Sequence, residues 1–167
     1  MNNKEHSNTG TAIFAAGCFW GVQHQFDLAD GVVESSVGYI GGARPEPSYE
    51  QVCTGATGHQ EAVLIKFDPE ITNFEELTKV FFEIHDFEQT NGQGPDIGSQ
   101  YFSVIFYQDE TQKKQAQEII TQLTQMGYKV ATKLKEASTF WPAEAYHQNY
   151  YQKTGKQPYC HLRRKIF

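Results

Sequence analysis

Strand-like and helix-like runs are interleaved in this chain without the strict alternation of a parallel sheet, and that order limits the fold more than any other feature. Residues 11–16 (TAIFAA) are short and apolar, as a buried strand is, and Gly17 interrupts them. Val22, Phe26 and Ala29 then recur at helical spacing within 18–29. Residues 32–40 alternate through Val33, Ser35, Val37 and Tyr39, and a turn-rich loop with Pro45 and Pro47 leads to a brief helical patch at 48–53. Residues 60–67 (QEAVLIKF) form a third strand with Val63, Ile65 and Phe67 on one face. Asn73, with Glu76 three residues on, predicts a capped helix whose stripe is Leu77, Val80, Phe81 and Ile84. A glycine-rich loop over 88–99, a strand over 100–107 and a helix from Asp109 to Met126 follow, the helix burying Ala116, Ile119, Ile120 and Leu123. Gly127 closes it. A strand near 129–137 and a helix started by Pro142 complete the reading. These elements predict an α+β, two-layer α/β sandwich. No repeat or linker divides the chain, so 11–167 reads as one domain, with a flexible segment at 1–10 and a loop-like tail over about 152–167.

Charge and cysteine usage narrow the function. A net charge of -6 disfavours a nucleic-acid partner, which needs a basic face. The basic run Arg163-Arg164-Lys165 reads as a solvated tail. No stretch approaches the roughly 20 apolar residues of a membrane span, and MNNKEHSNTG has no signal-peptide core. Three cysteines are an odd number and no secreted disulfide framework. A cytoplasmic protein, read as a monomer, is expected, with its thiols catalytic, redox-active or merely packed.

The chemistry gathers in Gly17-Cys18-Phe19-Trp20-Gly21. A thiol where a strand gives way to a helix meets unpaired N–H groups and the helix dipole, which favour the thiolate and predict a lowered pKa. Gly17 and Gly21 allow a sharp turn and close approach of a substrate. Phe19 and Trp20 offer an apolar wall. Glu61 shares the face of Val63, Ile65 and Phe67, and a carboxyl group on an apolar face has a raised pKa and can donate a proton near neutrality. Asp96, Tyr101 and Tyr49 supply an acceptor and two phenols from loops. The parity of the strand leaves His59 unplaced. A Cys–His hydrolase and a non-catalytic peptide binder are the rival readings; the histidines and cysteines lack the paired short spacings of a zinc site.

With Gly38-Tyr39-Ile40-Gly41-Gly42, Pro47-Ser48-Tyr49, Thr57-Gly58-His59-Gln60-Glu61-Ala62-Val63 and Gly98-Ser99-Gln100-Tyr101 added, the chain resembles the peptide methionine sulfoxide reductase A family over about 11–160. The resemblance implies a mixed, largely antiparallel sheet with a ferredoxin-like core and no metal or organic cofactor. It implies that Cys18 attacks the sulfur of an S-epimer methionine sulfoxide in oxidised proteins or peptides, and that Glu61 protonates the oxygen, aided by Tyr49 and Tyr101. Phe19 and Trp20 would hold the substrate methyl group, and Asp96 would orient the substrate. The Cys18 sulfenic acid would then condense with a second cysteine, and thioredoxin would reduce the disulfide. Cys160, in Pro158-Tyr159-Cys160-His161, matches the family's tail cysteine; Cys53 is the alternative. His147 matches a recurring family motif and reads as a structural helix histidine. The sequence departs from the family at Phe87, Gly92, Pro95 and Phe102.

Overall fold

In the computed structural model, which describes residues 9–156 and 161–167, eight strands and five helices follow one another in the order of the sequence. The expected mobile segment at 1–10 lies mostly, and Cys160 wholly, outside the described residues. Strand β1 (Gly10–Ala16) leads into helix α1 (Phe19–Asp27), β2 (Val32–Ile40), the short α2 (Tyr49–Cys53), β3 (Gln60–Phe67) and α3 (Phe74–Glu83). A two-residue hairpin, β4 (Gly92–Gln93) and β5 (Asp96–Ile97), precedes a 3-10 turn at Ser99–Tyr101 and β6 (Ser103–Tyr107). Helix α4 (Glu110–Gln125), β7 (Lys133–Glu136), β8 (Trp141–Pro142) and α5 (Tyr150–Thr154) close the chain.

The main sheet runs β7-β6-β1-β3-β2-β8, and only the β6–β7 pair is parallel. Its inner order β6-β1-β3-β2, with α1 and α3 as the crossovers, is the ferredoxin-like β-α-β-β-α-β arrangement. The pleat sorts side chains by parity. Ala12, Phe14, Val37, Tyr39, Val63, Ile65 and Ile105 face the helices, meeting Val22 and Phe26 of α1, Leu77 and Phe81 of α3, and Ile119 and Leu123 of α4. Phe14, on central β1, packs its ring 5.2 Å from Phe26 and 5.1 Å from Phe81. The opposite face carries Ile13, Ala15, Ile40, Ala62, Val104 and Phe106 under Phe102 and Phe140. The helices therefore lie on one side, as the two-layer expectation has it.

Several boundaries differ from the sequence reading. Residues 100–102 belong to the 3-10 turn and its exit, so the strand begins at Ser103. Only 133–136 of the expected 129–137 strand joins the sheet. The N–H groups of Lys129 and Ala131 instead bond Glu88 Oε2 and the Phe87 carbonyl, which ties this stretch to the loop after α3. Pro142 starts no helix. Trp141 and Pro142 pair with Tyr39 and Gly38 at the sheet edge, where a residue without an N–H is tolerated. Arg163 is not simply solvated, because its guanidinium holds Glu83 at 2.9 Å.

Candidate active site

Cys18 stands at the elbow between β1 and α1. Gly17 turns the chain with φ of +95°, a conformation that side chains resist, and Cys18 becomes the N-cap residue of α1. The backbone N–H groups of Trp20 and Gly21 hydrogen-bond its sulfur and lower its pKa, as the helix start predicts. Burial, reinforced by the charge of Glu61, nevertheless outweighs them and pushes the thiol up to about 12. The expected low-pKa thiolate is therefore corrected: desolvation wins over the helix terminus.

Glu61 sits on β3 directly across from Tyr39, on the helix-covered face, with 2% of its surface exposed. Its Oε1 accepts the Phe19 N–H at 3.2 Å, while Oε2 is buried with no hydrogen-bond partner among the described residues. Burial raises its pKa to about 8, opposed by the Phe19 N–H and helped by Asp96. The carboxyl is then neutral at pH 7, and the charge that would repel a Cys18 thiolate is absent.

The loop residues converge on this pair. Tyr101 feels the charges of Glu61, Cys53, Asp96 and Cys18, and Tyr49 those of Glu61, Cys53 and Tyr101. Desolvation pushes both phenols well above their ordinary range, so both keep their protons and remain donors. Burial likewise raises Asp96. Tyr49 leads α2, whose cap is a Ser48–Gln51 capping box. Its hydroxyl bonds the exposed thiol of Cys53.

Phe19 is enclosed by the rings of Tyr39, Tyr49 and His147 at 5.7, 6.3 and 5.2 Å. The Trp20 indole lies flat on Tyr150, 3.6 Å between centroids, and its Nε1–H donates to His147 Nδ1 at 3.0 Å. His147 is thus in a 3-10 turn, not a helix, and its place is beside the aromatic wall. Sequence reasoning missed Tyr150 and Glu144 altogether. Glu144 accepts the Tyr39 hydroxyl at 2.8 Å and the Tyr49 N–H at 3.0 Å, so it ties α2 to the sheet. Nothing local marks either residue, since Glu144 acts on Tyr39 and Tyr49 and Tyr150 stacks on Trp20, all remote in sequence.

His59 bonds the Gly42 N–H and the Arg44 carbonyl and pins the loop after β2. His85 engages Ser103, and His161 engages Ala16 and lies against Gly21. Phe87 is wholly buried against Phe82 and Tyr128, which places that departure in the core. Among the described residues no helix is long and apolar enough to cross a membrane, and no three His, Cys, Asp or Glu side chains gather as a cation site.

Comparison with known proteins agrees with this geometry. The family model for peptide methionine sulfoxide reductase matches residues 10–167. The peptide methionine sulfoxide reductase MsrA of Nautilia profundicola is 50% identical over 149 residues, covering 89% of this chain and 86% of its own. That of Thermus thermophilus is 46% identical over 152 residues, covering 90% and 86%. Reduced Mxr1 of Saccharomyces cerevisiae superposes with a TM-score of 0.88 at 34% identity, covering 95% of this chain and 94% of that one. Mxr1 in complex with Trx2 shares the fold at a TM-score of 0.63 and 23% identity, covering 95% and 92%. A buried acid beside an N-capping thiol, two phenols and an aromatic wall thus occur in a chain that belongs to the peptide methionine sulfoxide reductase family.

Proposed function

We propose that this protein reduces the S epimer of methionine sulfoxide in oxidised proteins and peptides, with a thioredoxin as electron donor. The observation that carries the reading is the neutral, half-satisfied carboxyl of Glu61 beside Cys18. A sulfoxide oxygen leaves poorly until it is protonated, and Glu61 holds a proton at neutral pH with one oxygen unused. Phe19 and Trp20 receive the methyl group, Asp96 orients the substrate, and the Tyr49 and Tyr101 hydroxyls hydrogen-bond the sulfoxide oxygen as its charge changes. Cys18 sulfur attacks the sulfoxide sulfur, the S–O bond breaks, and methionine leaves. The thiol hydrogen ends on the transferred oxygen through Glu61, and Cys18 becomes a sulfenic acid. The sulfoxide sulfur is reduced by two electrons and Cys18 is oxidised by two.

Cys160 then condenses with that sulfenic acid, releasing water, and thioredoxin exchanges with the disulfide. Cys53 is the alternative partner, but its thiol is engaged by the Tyr49 phenol. The protein is read as a cytoplasmic monomer, where a reducing environment keeps the thiols active. The test is dithiol-dependent reduction of a peptide carrying resolved S- and R-methionine sulfoxide, with Cys18→Ser alongside. Consumption of the S epimer alone, abolished in the variant, is expected. Turnover retained by Cys18→Ser would overturn the nucleophile, and consumption of the R epimer would overturn the stereochemistry.

A further inference from the structure

The Trp20 indole is half-buried in the first turn of α1, and two neighbours hold it in different ways. Tyr150 lies parallel to it, with 5° between the planes and 3.6 Å between centroids. A flat stack fixes the plane of an indole but lets it turn and slide within that plane. The turn is fixed at the rim. Trp20 Nε1–H, which can only donate, meets His147 Nδ1 at 3.0 Å. Nδ1 is then the acceptor and Nε2 holds the proton of a neutral ring, a state that burial favours by lowering the pKa. Nε2 is buried with no hydrogen-bond partner among the described residues, so among them the imidazole hydrogen-bonds the indole alone. The backbone around His147 is itself fastened. The His147 N–H donates to the Glu144 carbonyl at 3.0 Å. The Gln148 amide bonds both the N–H and the carbonyl of Val37 at 2.9 Å, and the Asn149 N–H donates to Gln23 Oε1 at 2.8 Å. The imidazole is 1% exposed, packed against Phe19, Tyr49 and Tyr146 at 5.2, 4.5 and 4.1 Å between centroids. It is a fixed point that touches both residues of the apolar wall.

We infer that His147 is a positioning residue that sets the alkyl selectivity of the site: by fixing the turn of the Trp20 indole, it keeps the wall closed around a methyl sulfoxide and shut to a longer alkyl group. This rests on the proposed role of Phe19 and Trp20 as the wall that receives the substrate methyl group. An indole free to turn gives way to an added methylene, whereas a fixed one meets it with overlap. Apolar pockets separate substrates that differ by one methylene by about 10–200-fold, and holding the wall in one orientation is what secures that range. The stack on Tyr150 cannot supply it alone, since it leaves the turn within the plane undetermined.

The experiment measures kcat and KM of the full-length protein, with dithiothreitol as reductant, on two peptides. One carries the S epimer of methionine sulfoxide, the other the S epimer of ethionine sulfoxide, with an ethyl group in place of the methyl. The wild type is expected to favour the methyl peptide by at least about 10-fold in kcat/KM. His147→Phe keeps the ring contacts and removes the acceptor. It is expected to lower that preference to about 3-fold or less, through a higher KM for the methyl peptide with kcat within about 3-fold of wild type. His147→Asn gives up the ring but sets Oδ1 where Nδ1 stood, and should keep most of the preference. A merely structural ring would show the reverse order, since phenylalanine fills its space and asparagine does not. Indole exchange gives a readout free of turnover. With Trp141→Phe as background, Trp20 is the one indole left of the two in the chain. Its N–H should exchange with deuterium slowly in that background and with His147→Asn added, and faster with His147→Phe added. A methyl preference unchanged in His147→Phe, or lost more in His147→Asn than in His147→Phe, would overturn the role of His147. Equal use of the two peptides by the wild type would overturn the selectivity. Reduction of neither peptide would overturn the proposed reaction itself, while indole exchange still decides whether His147 holds Trp20.

Discussion

Two ionisable groups in one buried site control each other through their charges. With Glu61 protonated, Cys18 has no anionic neighbour there, and the Trp20 and Gly21 N–H groups can stabilise a developing thiolate; with Glu61 ionised, the same thiolate faces repulsion. The first-turnover rate should therefore fall as pH rises through about 8, where Glu61 loses its proton. Glu61→Gln should be slowed by about 100-fold or more at neutral pH and lose this alkaline limb, as a rapid-quench pH profile would show. The same carboxyl also governs stability. Its raised folded pKa means the native state holds a proton that the unfolded chain releases between 4.5 and about 8. Its contribution is complete below 4.5 and lost as pH rises through about 8. Glu61→Gln should accordingly gain stability relative to wild type in alkaline urea titrations. His147 has the opposite constraint. It accepts the Trp20 indole proton on Nδ1, so it must stay neutral at that nitrogen, and burial lowers its pKa to suit.

At the scale of elements, the site is an assembly of ends. Cys18 caps α1, Tyr49 opens α2, Glu61 is the second residue of β3, and Tyr101 ends a 3-10 turn. Helix α2 has only five residues, too few to be stable alone, so its cap and its contact with Glu144 fix the phenol. Ser48 accepts the Gln51 N–H, and Gln51 returns the bond to the Ser48 N–H. Ser48→Ala should cost about 1 kcal/mol in urea denaturation, with a lower kcat/KM through Tyr49. Unchanged catalysis at that loss of stability would mean that Tyr49 is held without its cap. The hairpin that carries Asp96 is fixed by Gln93, whose amide bonds both the N–H and the carbonyl of Asp86 at 2.6 and 2.8 Å. An amide standing in for a backbone pair in this way gives no signal of its own in the sequence.

Over the whole molecule, the C-terminal residues are fastened to the end of α3 by Glu83. Its carboxylate accepts from Arg163 Nε at 3.0 Å and from the Ile166 and Phe167 N–H groups at 2.9 and 3.3 Å. Burial pushes this carboxyl up, but those N–H groups and the guanidinium bring it below its ordinary value. A depressed carboxyl stabilises fully above 4.5 and loses that contribution as pH falls through its lower folded value. Glu83→Ala should cost about 1 kcal/mol at pH 7, by denaturant titration, because it removes the acceptor of the part-buried Ile166 and Phe167 N–H groups. The difference from wild type should shrink on acidification. Period and parity in the sequence by themselves determined the main helix and strand types from 11 to 126, the hairpin at 92–97 excepted because it lies within the expected loop, together with the apolar face that Glu61 shares and the thiol at a strand-to-helix junction. Those are local properties, set by which side chains recur on one face. They failed at Pro142, where a helix-start residue became an edge strand because β2 offered it an edge. They also failed on the Cys18 pKa, because a helix terminus is visible locally whereas desolvation depends on what else is packed there. The convergence of Tyr49, Asp96 and Tyr101 on one acid, the support of Trp20 by His147 and Tyr150, and the seating of His161 on Gly21 were decided only by the tertiary structure. Each joins side chains remote in sequence, and distance in space is fixed by the fold that buries them.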